Sequence, residues 1–184
     1  MSPSYALIAC VISIGFLSCQ KSDLQTMMPV EISGLYKIDL PTNLKPGYDI
    51  HDFASLQYYD VDEQMYVIGI EDAKKNFGKI TLKRIDVEDY FKFVEKVVFQ
   101  PADSLADLGR QNFVTDDVHA ELGDFYARMP LRGKTYELFY RVAVYESRSH
   151  FFQLIVWTPF DKREEAMGWI DAITASFELI KQRV

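Results

Sequence analysis

The chain has 184 residues, 48% of them hydrophobic and 26% charged, with a formal net charge of −7 at neutral pH. Those proportions exclude an intrinsically disordered chain. The acidic balance also excludes a nucleic-acid-binding surface, which depends on clustered Lys and Arg.

Residues Tyr5 to Leu17 are nearly all apolar and carry no charge. The run is too short to cross a bilayer, which takes ~20 apolar residues. It fits the apolar stretch of a secretion signal, ~7–15 residues long. It closes with Phe16-Leu17-Ser18-Cys19, after which Gln20-Lys21-Ser22-Asp23 is polar. This layout resembles a bacterial lipoprotein signal peptide with its lipobox, and implies Cys19 as the lipid-attachment residue. Two features depart from that pattern: no Lys or Arg precedes the run, and Leu17 stands where a small residue is preferred. A plain secretory signal and an uncleaved anchor are the alternatives.

On the lipoprotein reading, residues 1–18 are a signal peptide, 19–33 a lipidated N-terminus and short tether, and 34–184 one globular domain. Cys10 leaves with the signal and Cys19 is consumed by its thioether, so the folded part relies on its core without a disulfide. A domain of that size buries roughly 70% of its unfolded surface, enough for one core. A single acyl chain anchors only marginally, so the resemblance implies several chains on Cys19 and the membrane as a partner through them. Gln20 stands where inner-membrane lipoproteins carry Asp, so the resemblance implies the cell envelope, at the outer rather than the inner membrane.

The folded part reads as strands, a helix, more strands and a final helix. Leu35 to Leu40 alternates and stops at Pro41. Ala54–Tyr59 and Gln64–Glu71 are β-rich, joined by Asp60-Val61-Asp62-Glu63 as a hairpin connection. Asp86-Val87-Glu88-Asp89 has the form of a helix N-cap with an acidic first turn. Val87, Tyr90, Phe91, Val94, Val97 and Val98 follow as an apolar stripe ending before Pro101. Val118–Arg128, Lys134–Glu146 and His150–Trp157 are long strands, and the last two alternate apolar residues on both faces. A sheet apolar on both faces must be covered on both. A last helix follows Pro159 and Asp161, with Ala166, Ile170, Ile173 and Phe177 inward.

The opening Gly34-Leu35-Tyr36-Lys37-Ile38-Asp39-Leu40-Pro41 and the ending, Phe151 to Thr158 followed by a helix into Ser176-Phe177, are similar to the PsbP/Mog-type domain. The similarity runs from about Ser33 to Ile180. It implies an α+β fold: a three-layer α/β/α sandwich with a largely antiparallel central sheet of about six strands and helices on both faces. It also implies a role in binding, with a protein partner, since most such domains act as accessory or binding modules.

Catalytic signatures are absent: there is no P-loop, GxSxG, HExxH or dinucleotide fingerprint, and no cofactor is expected. Asp117, His119 and Glu121 would project from one face of an extended strand, a candidate metal or carboxylate site for a small envelope hydrolase. A solvated strand entrance is the plainer reading of the same residues. Asp49, His51 and Asp52 form a second cluster in a loop after Pro46-Gly47. Glu63, Glu71 and Asp72 are candidate paired carboxylates. The tyrosines and tryptophans, Tyr58, Tyr59, Tyr66, Tyr136, Tyr140, Tyr145, Trp157 and Trp169, fit either a carbohydrate or peptide platform or rings half-buried under a covering helix.

Overall fold

The computed structural model describes residues 26–77, 85–115 and 117–180. In chain order the strands are β1 (Met27–Ile32), β2 (Tyr36–Pro41), β3 (Lys45–Pro46), β4 (Leu56–Asp60), β5 (Met65–Ala73), β6 (Ser104–Val114), β7 (His119–Leu131), β8 (Lys134–Glu146), β9 (His150–Pro159) and β10 (Glu178–Leu179). The helices are α1 (Lys74–Phe77), α2 (Val87–Val98) and α3 (Arg163–Ala175). A seven-stranded antiparallel sheet runs β3-β4-β5-β9-β8-β7-β6, and a separate small sheet runs β1-β2-β10.

The two-sided alternation of β8 and β9 dictates the layering. Phe139, Ala143, Tyr145, Phe152, Leu154 and Val156 point to one face, where α3 and the small sheet cover them. Tyr140, Val142, Val144, Phe151 and Ile155 point to the other, under α2. The result is an α+β sandwich with helices on both faces, and on one face the cover is shared between helix and sheet. The strand read at Leu35–Leu40 lies in that small sheet rather than in the central one. Residues Met27–Ile32, read as the end of a tether, are a paired strand of the same sheet. Cys19 and the apolar run before it lie outside the described residues.

Local chemistry sets the element boundaries. The Asp86 carboxylate accepts the Asp89 N–H at 2.9 Å and caps α2. The helix buries Tyr90, Phe91 and Val94. Val97, on the expected stripe, is 53% exposed, while Phe99 just past the helix end is buried against Phe125 and Tyr140. In α3 the inward Ala166, Ile170 and Ile173 are buried as the spacing requires. Each of the two isoleucines contributes about 1.5–3 kcal/mol by leaving water. Arg132 and Gly133 join β7 to β8 with φ of 50° and 77°, the positive pair that a primed hairpin turn needs.

Strand β6 has no clear pattern in the sequence, and its geometry explains why. A bulge between Asp107 and Gly109 shifts the register against β7. One extra residue exchanges the faces of everything beyond it. Arg110 therefore faces α2, where it pairs with Glu95 at 2.8 Å and lies over the rings of Phe91 and Phe125.

Arg141 interrupts the apolar row of β8 on the α3 face. Its side chain is only 8% exposed, and Asp124 takes it bidentately at 2.6 and 2.7 Å, with Asp171 of α3 as a further partner. Burial alone would lower its pKa, but the two carboxylates overcome this and hold it raised.

Candidate binding cleft and aromatic loop

The expected hydrolase residues are not brought to a common point. Among the described residues, no three His, Cys, Asp or Glu side chains form a group able to hold a metal ion. Asp117 is exposed ahead of β7. His119 is 58% exposed at the strand's first position, 4.0 Å from the Glu146 carboxylate. Glu121 shares its face, yet sits among Glu88, Arg110, Lys92 and Asp86 near the start of α2. Burial and then Glu88 push its carboxyl above the usual range. Asp116 lies outside the described residues.

The carboxylates considered as a pair are separated by the pleat. Glu71 and Asp72 are consecutive in β5, so they face opposite sides of the sheet. Asp72 accepts the Tyr90 hydroxyl beneath α2, and the Gln153 amide donates to the same tyrosine at 2.6 Å. Burial and the Asp72 charge push the Tyr90 phenol up. Glu71 instead accepts Ser33 at 3.0 Å and the Ser55 hydroxyl, on the side of the small sheet. Glu63 is exposed in the β4–β5 connection.

Several of the aromatic residues form a ladder. Tyr59, Tyr66, Trp157 and Tyr140 stand on neighbouring strands β4, β5, β9 and β8, with successive centroids 6.4, 5.2 and 6.0 Å apart and planes within 21°. Each inner ring uses both faces on its neighbours, which leaves edges and hydroxyls at the rim. A sugar stacks on a free ring face, so this row is packing rather than a platform. Burial pushes the Tyr140 phenol up to about 12.

The two most exposed aromatic residues lie on the loop from Gly47 to Ser55, whereas Phe93, Phe113 and Tyr136 are exposed singly on α2, β6 and β8. Tyr48 is 89% exposed and Phe53 82%. The loop is nevertheless tightly tied. The Gln57 side-chain carbonyl accepts the N–H groups of Ile50 and His51 at 2.9 and 3.0 Å, and its amide donates to the Ala54 carbonyl at 3.2 Å. His51 Nδ1 accepts the Phe53 N–H at 3.3 Å, and the His51 carbonyl accepts the Ala54 N–H at 3.2 Å. The cluster of Asp49, His51 and Asp52 is thus built around a loop-shaping histidine with exposed carboxylates on either side. Gln57 was not singled out by sequence. Two aromatics inside a polar turn, Tyr48 and Phe53, were the available signal.

Beside this loop a cleft of about 380 Å³ separates β1 from the β3–β4 edge, with Val30, Glu31, Ser33, Tyr48, Ser55 and Tyr58 among its lining residues. Its two serines are the ones that donate to Glu71. Ser33 sits in a turn with φ of 52°, followed by Gly34 at 65°, closed by the Leu35 N–H on the Ile32 carbonyl at 2.9 Å. Behind Ser55 lies the Tyr36 hydroxyl, which is buried and makes no hydrogen bond. Burial and then Glu71 push its phenol up, while the neighbouring Ser55 hydroxyl acts in the opposite direction. This arrangement offers a preorganised aromatic surface and a hydrogen-bonding cleft, the equipment of a binding site.

No protein-family model matches the sequence, and no curated protein does. Solved structures do match in fold. Cyanobacterial PsbP from Synechocystis aligns with a TM-score of 0.60 at 12% identity, covering 88% of this chain and 97% of that one. The Saccharomyces cerevisiae Ran-binding protein Mog1p aligns at 0.59 and 9% identity, covering 85% and 97%. LpqN of Mycobacterium tuberculosis, described as involved in cell envelope biogenesis, aligns at 0.53 and 13%, covering 84% and 90%. At these identities the likeness establishes the PsbP/Mog1-type fold alone. Among the described residues, no helix is long and apolar enough to cross a membrane.

Proposed function

We propose that this protein is a non-catalytic binding module of the cell envelope, tethered by lipid on Cys19, whose folded domain docks a protein partner. The observation that carries the reading is the Gly47–Ser55 loop. It holds two large aromatic side chains in water, Tyr48 at 89% and Phe53 at 82% exposure, on a backbone fixed by Gln57. Exposed rings on an ordered loop lose little further entropy on docking, and aromatic anchors dominate interface energies. Two fold neighbours support the same direction: one is a Ran-binding protein and another is involved in envelope biogenesis. Gln20 after the proposed lipid site favours the outer membrane. With 27 acidic against 20 basic residues, membrane attachment rests on the lipid rather than on charge.

The test is cross-linking in intact envelopes followed by purification, comparing the full chain with its Tyr48→Ala/Phe53→Ala variant. A specific partner lost about tenfold or more in the variant is expected, since anchors of this kind contribute about 1–2 kcal/mol or more. Identical recovery from both proteins would remove the loop from the reading. Mass spectrometry of the mature N-terminus tests the tether separately: an unmodified Cys19 removes it.

A further inference from the structure

Resting on that binding-module reading, we propose that the cleft between the two sheets takes an extended, basic peptide segment as an added strand. Both walls are sheet edges. Among the described residues β1 pairs only with β2, which leaves its outer edge open, while β4 is covered at Tyr58 and Tyr59 by β3 and at the Gln57 carbonyl by the Gly47 N–H at 2.8 Å. A strand edge offers unpaired backbone donors and acceptors on one side, the feature that strand addition uses. The extended part of the β1 wall is residues 30–32, about 10 Å of chain and room for about three ligand residues, and the turn at Ser33 closes it.

The chemistry of the lining selects the ligand. Side chains of an added strand would meet the apolar Val30, Tyr48 and Tyr58 and the hydroxyl-bearing Ser33 and Ser55 of the lining. Glu31 is the charged residue of the lining, Glu71 sits behind both serines, and Asp49 and Asp52 belong to the adjoining loop. The two lysines of β2 and β3 are engaged by other carboxylates. Lys37 stands opposite Glu31 across the β1–β2 pair but its amine is taken by Glu178 at 2.9 Å, and Lys45 acts on Asp60 at the hairpin end of β4. Among the described residues, acids outnumber bases around the cleft and the neighbouring lysines are held by carboxylates, which complements Lys or Arg. A second copy of this chain, at −7 itself, is a poor occupant.

The test uses the full chain, solubilised in mild detergent, and three fluorescent nine-residue probes. One alternates Lys with Val and Thr, the second replaces Lys with Glu, and the third is the Lys peptide N-methylated at alternate residues. Each also carries a central benzophenone for photo-cross-linking. The Lys peptide is expected to bind, the Glu peptide not to, and N-methylation to weaken binding tenfold or more by removing backbone donors. Glu31→Lys, an exposed edge substitution, is expected to weaken it fivefold or more. Cross-links should fall within residues 30–33 and 46–58.

Binding that survives N-methylation, or cross-links spread over the acidic surface, overturns the strand-addition proposal. So does association of the chain with itself through the same residues. If no probe binds while Tyr48→Ala/Phe53→Ala still abolishes partner capture, the peptide class is wrong and the binding-module reading stands. If capture is also unaffected, both fall.

Discussion

Gly69→Ala probes the packing beneath the cleft. A Cβ at this buried position of β5 would lie 2.5 Å from Tyr36 Oη and 3.0 Å from Leu56 Cβ. Ordinary contact needs about 3.5 Å, so ring or strand must move by ~1 Å. Tyr36 has little slack: it is 2% exposed and packed against Phe152 and Phe177, with centroids 5.1 and 5.2 Å away. Overpacking of this kind costs about 1–3 kcal/mol. Replacing glycine in a strand returns about 0.5–1 kcal/mol, so the net loss is about 1–2 kcal/mol. Tyr36→Phe removes the obstructing oxygen, which is buried without a hydrogen bond, so on its own it should stabilise by up to about 1 kcal/mol, and the double variant is judged against the sum of the two single variants. The double variant should recover about 1 kcal/mol of the Gly69→Ala loss beyond that sum. Urea unfolding followed by Trp157 and Trp169 fluorescence reads this directly. With a slope of about 2 kcal/mol/M, the single variant shifts the midpoint down by ~0.5–1 M. A double variant no more stable than that sum would show that the Tyr36 hydroxyl is not the constraint.

Within the Arg141 cluster, Asp124→Ala should destabilise by about 3 kcal/mol or more, because it leaves a buried guanidinium short of its bidentate partner. Asp171→Ala should cost under ~1 kcal/mol, since that carboxylate is 62% exposed; thermal denaturation of the pair measures the contrast, and equal losses would contradict it. Gln57→Ala leaves Tyr48 and Phe53 in place but removes the post of their loop, so partner capture should weaken while urea stability falls by about 1–3 kcal/mol. Glu121 has a folded pKa above the ordinary value of 4.5, so the folded state binds its proton more tightly and stability falls as pH rises through that window. Glu121→Gln should therefore be more stable than the parent at pH 7, with the gain vanishing below pH 4.5, as paired denaturation curves would show.

The central layers were readable from sequence because their cause is local. Both faces of β8 and β9 alternate apolar side chains over ten residues or more, and only a sheet covered twice satisfies that pattern. Helices α2 and α3 announced themselves by the Asp86 cap and the Ala166, Ile170, Ile173 spacing for the same reason. What stayed hidden depended on partners distant in the chain. Strand β6 is exposed throughout and broken by a bulge, so no face of it repeats. Arg141 reads as an error in an apolar row until Asp124 and Asp171, 17 and 30 residues away, are placed beside it. At the candidate site, the residues that sequence favoured were acids and a histidine at strand spacing. The loop's decisive member is Gln57, an uncharged side chain whose role exists only after the chain has turned back over it.

The cleft follows from the width of the sheet. Seven strands at about 4.8 Å span roughly 30 Å, whereas one helix with its side chains covers about 10–12 Å. On the α2 face the shortfall is met by the stacked ladder from Tyr59 to Tyr140, whose rings cover one another, and by Phe99 beyond the helix end. On the other face α3 packs on β8, β9 and β2, and the small sheet takes the remaining area, locked down by Phe177 stacking on Tyr145 at 3.9 Å. A twisted sheet laid beside a helix cannot close against the β3–β4 edge without leaving a seam. Among its lining are Ser33 and Ser55, both donating to Glu71, set beside the apolar Val30, Leu56 and Tyr58. Polar groups at a junction that hydrophobic residues would have sealed add little stability. Their position is accounted for if the seam must open to a ligand, and the strand-addition test decides whether it does.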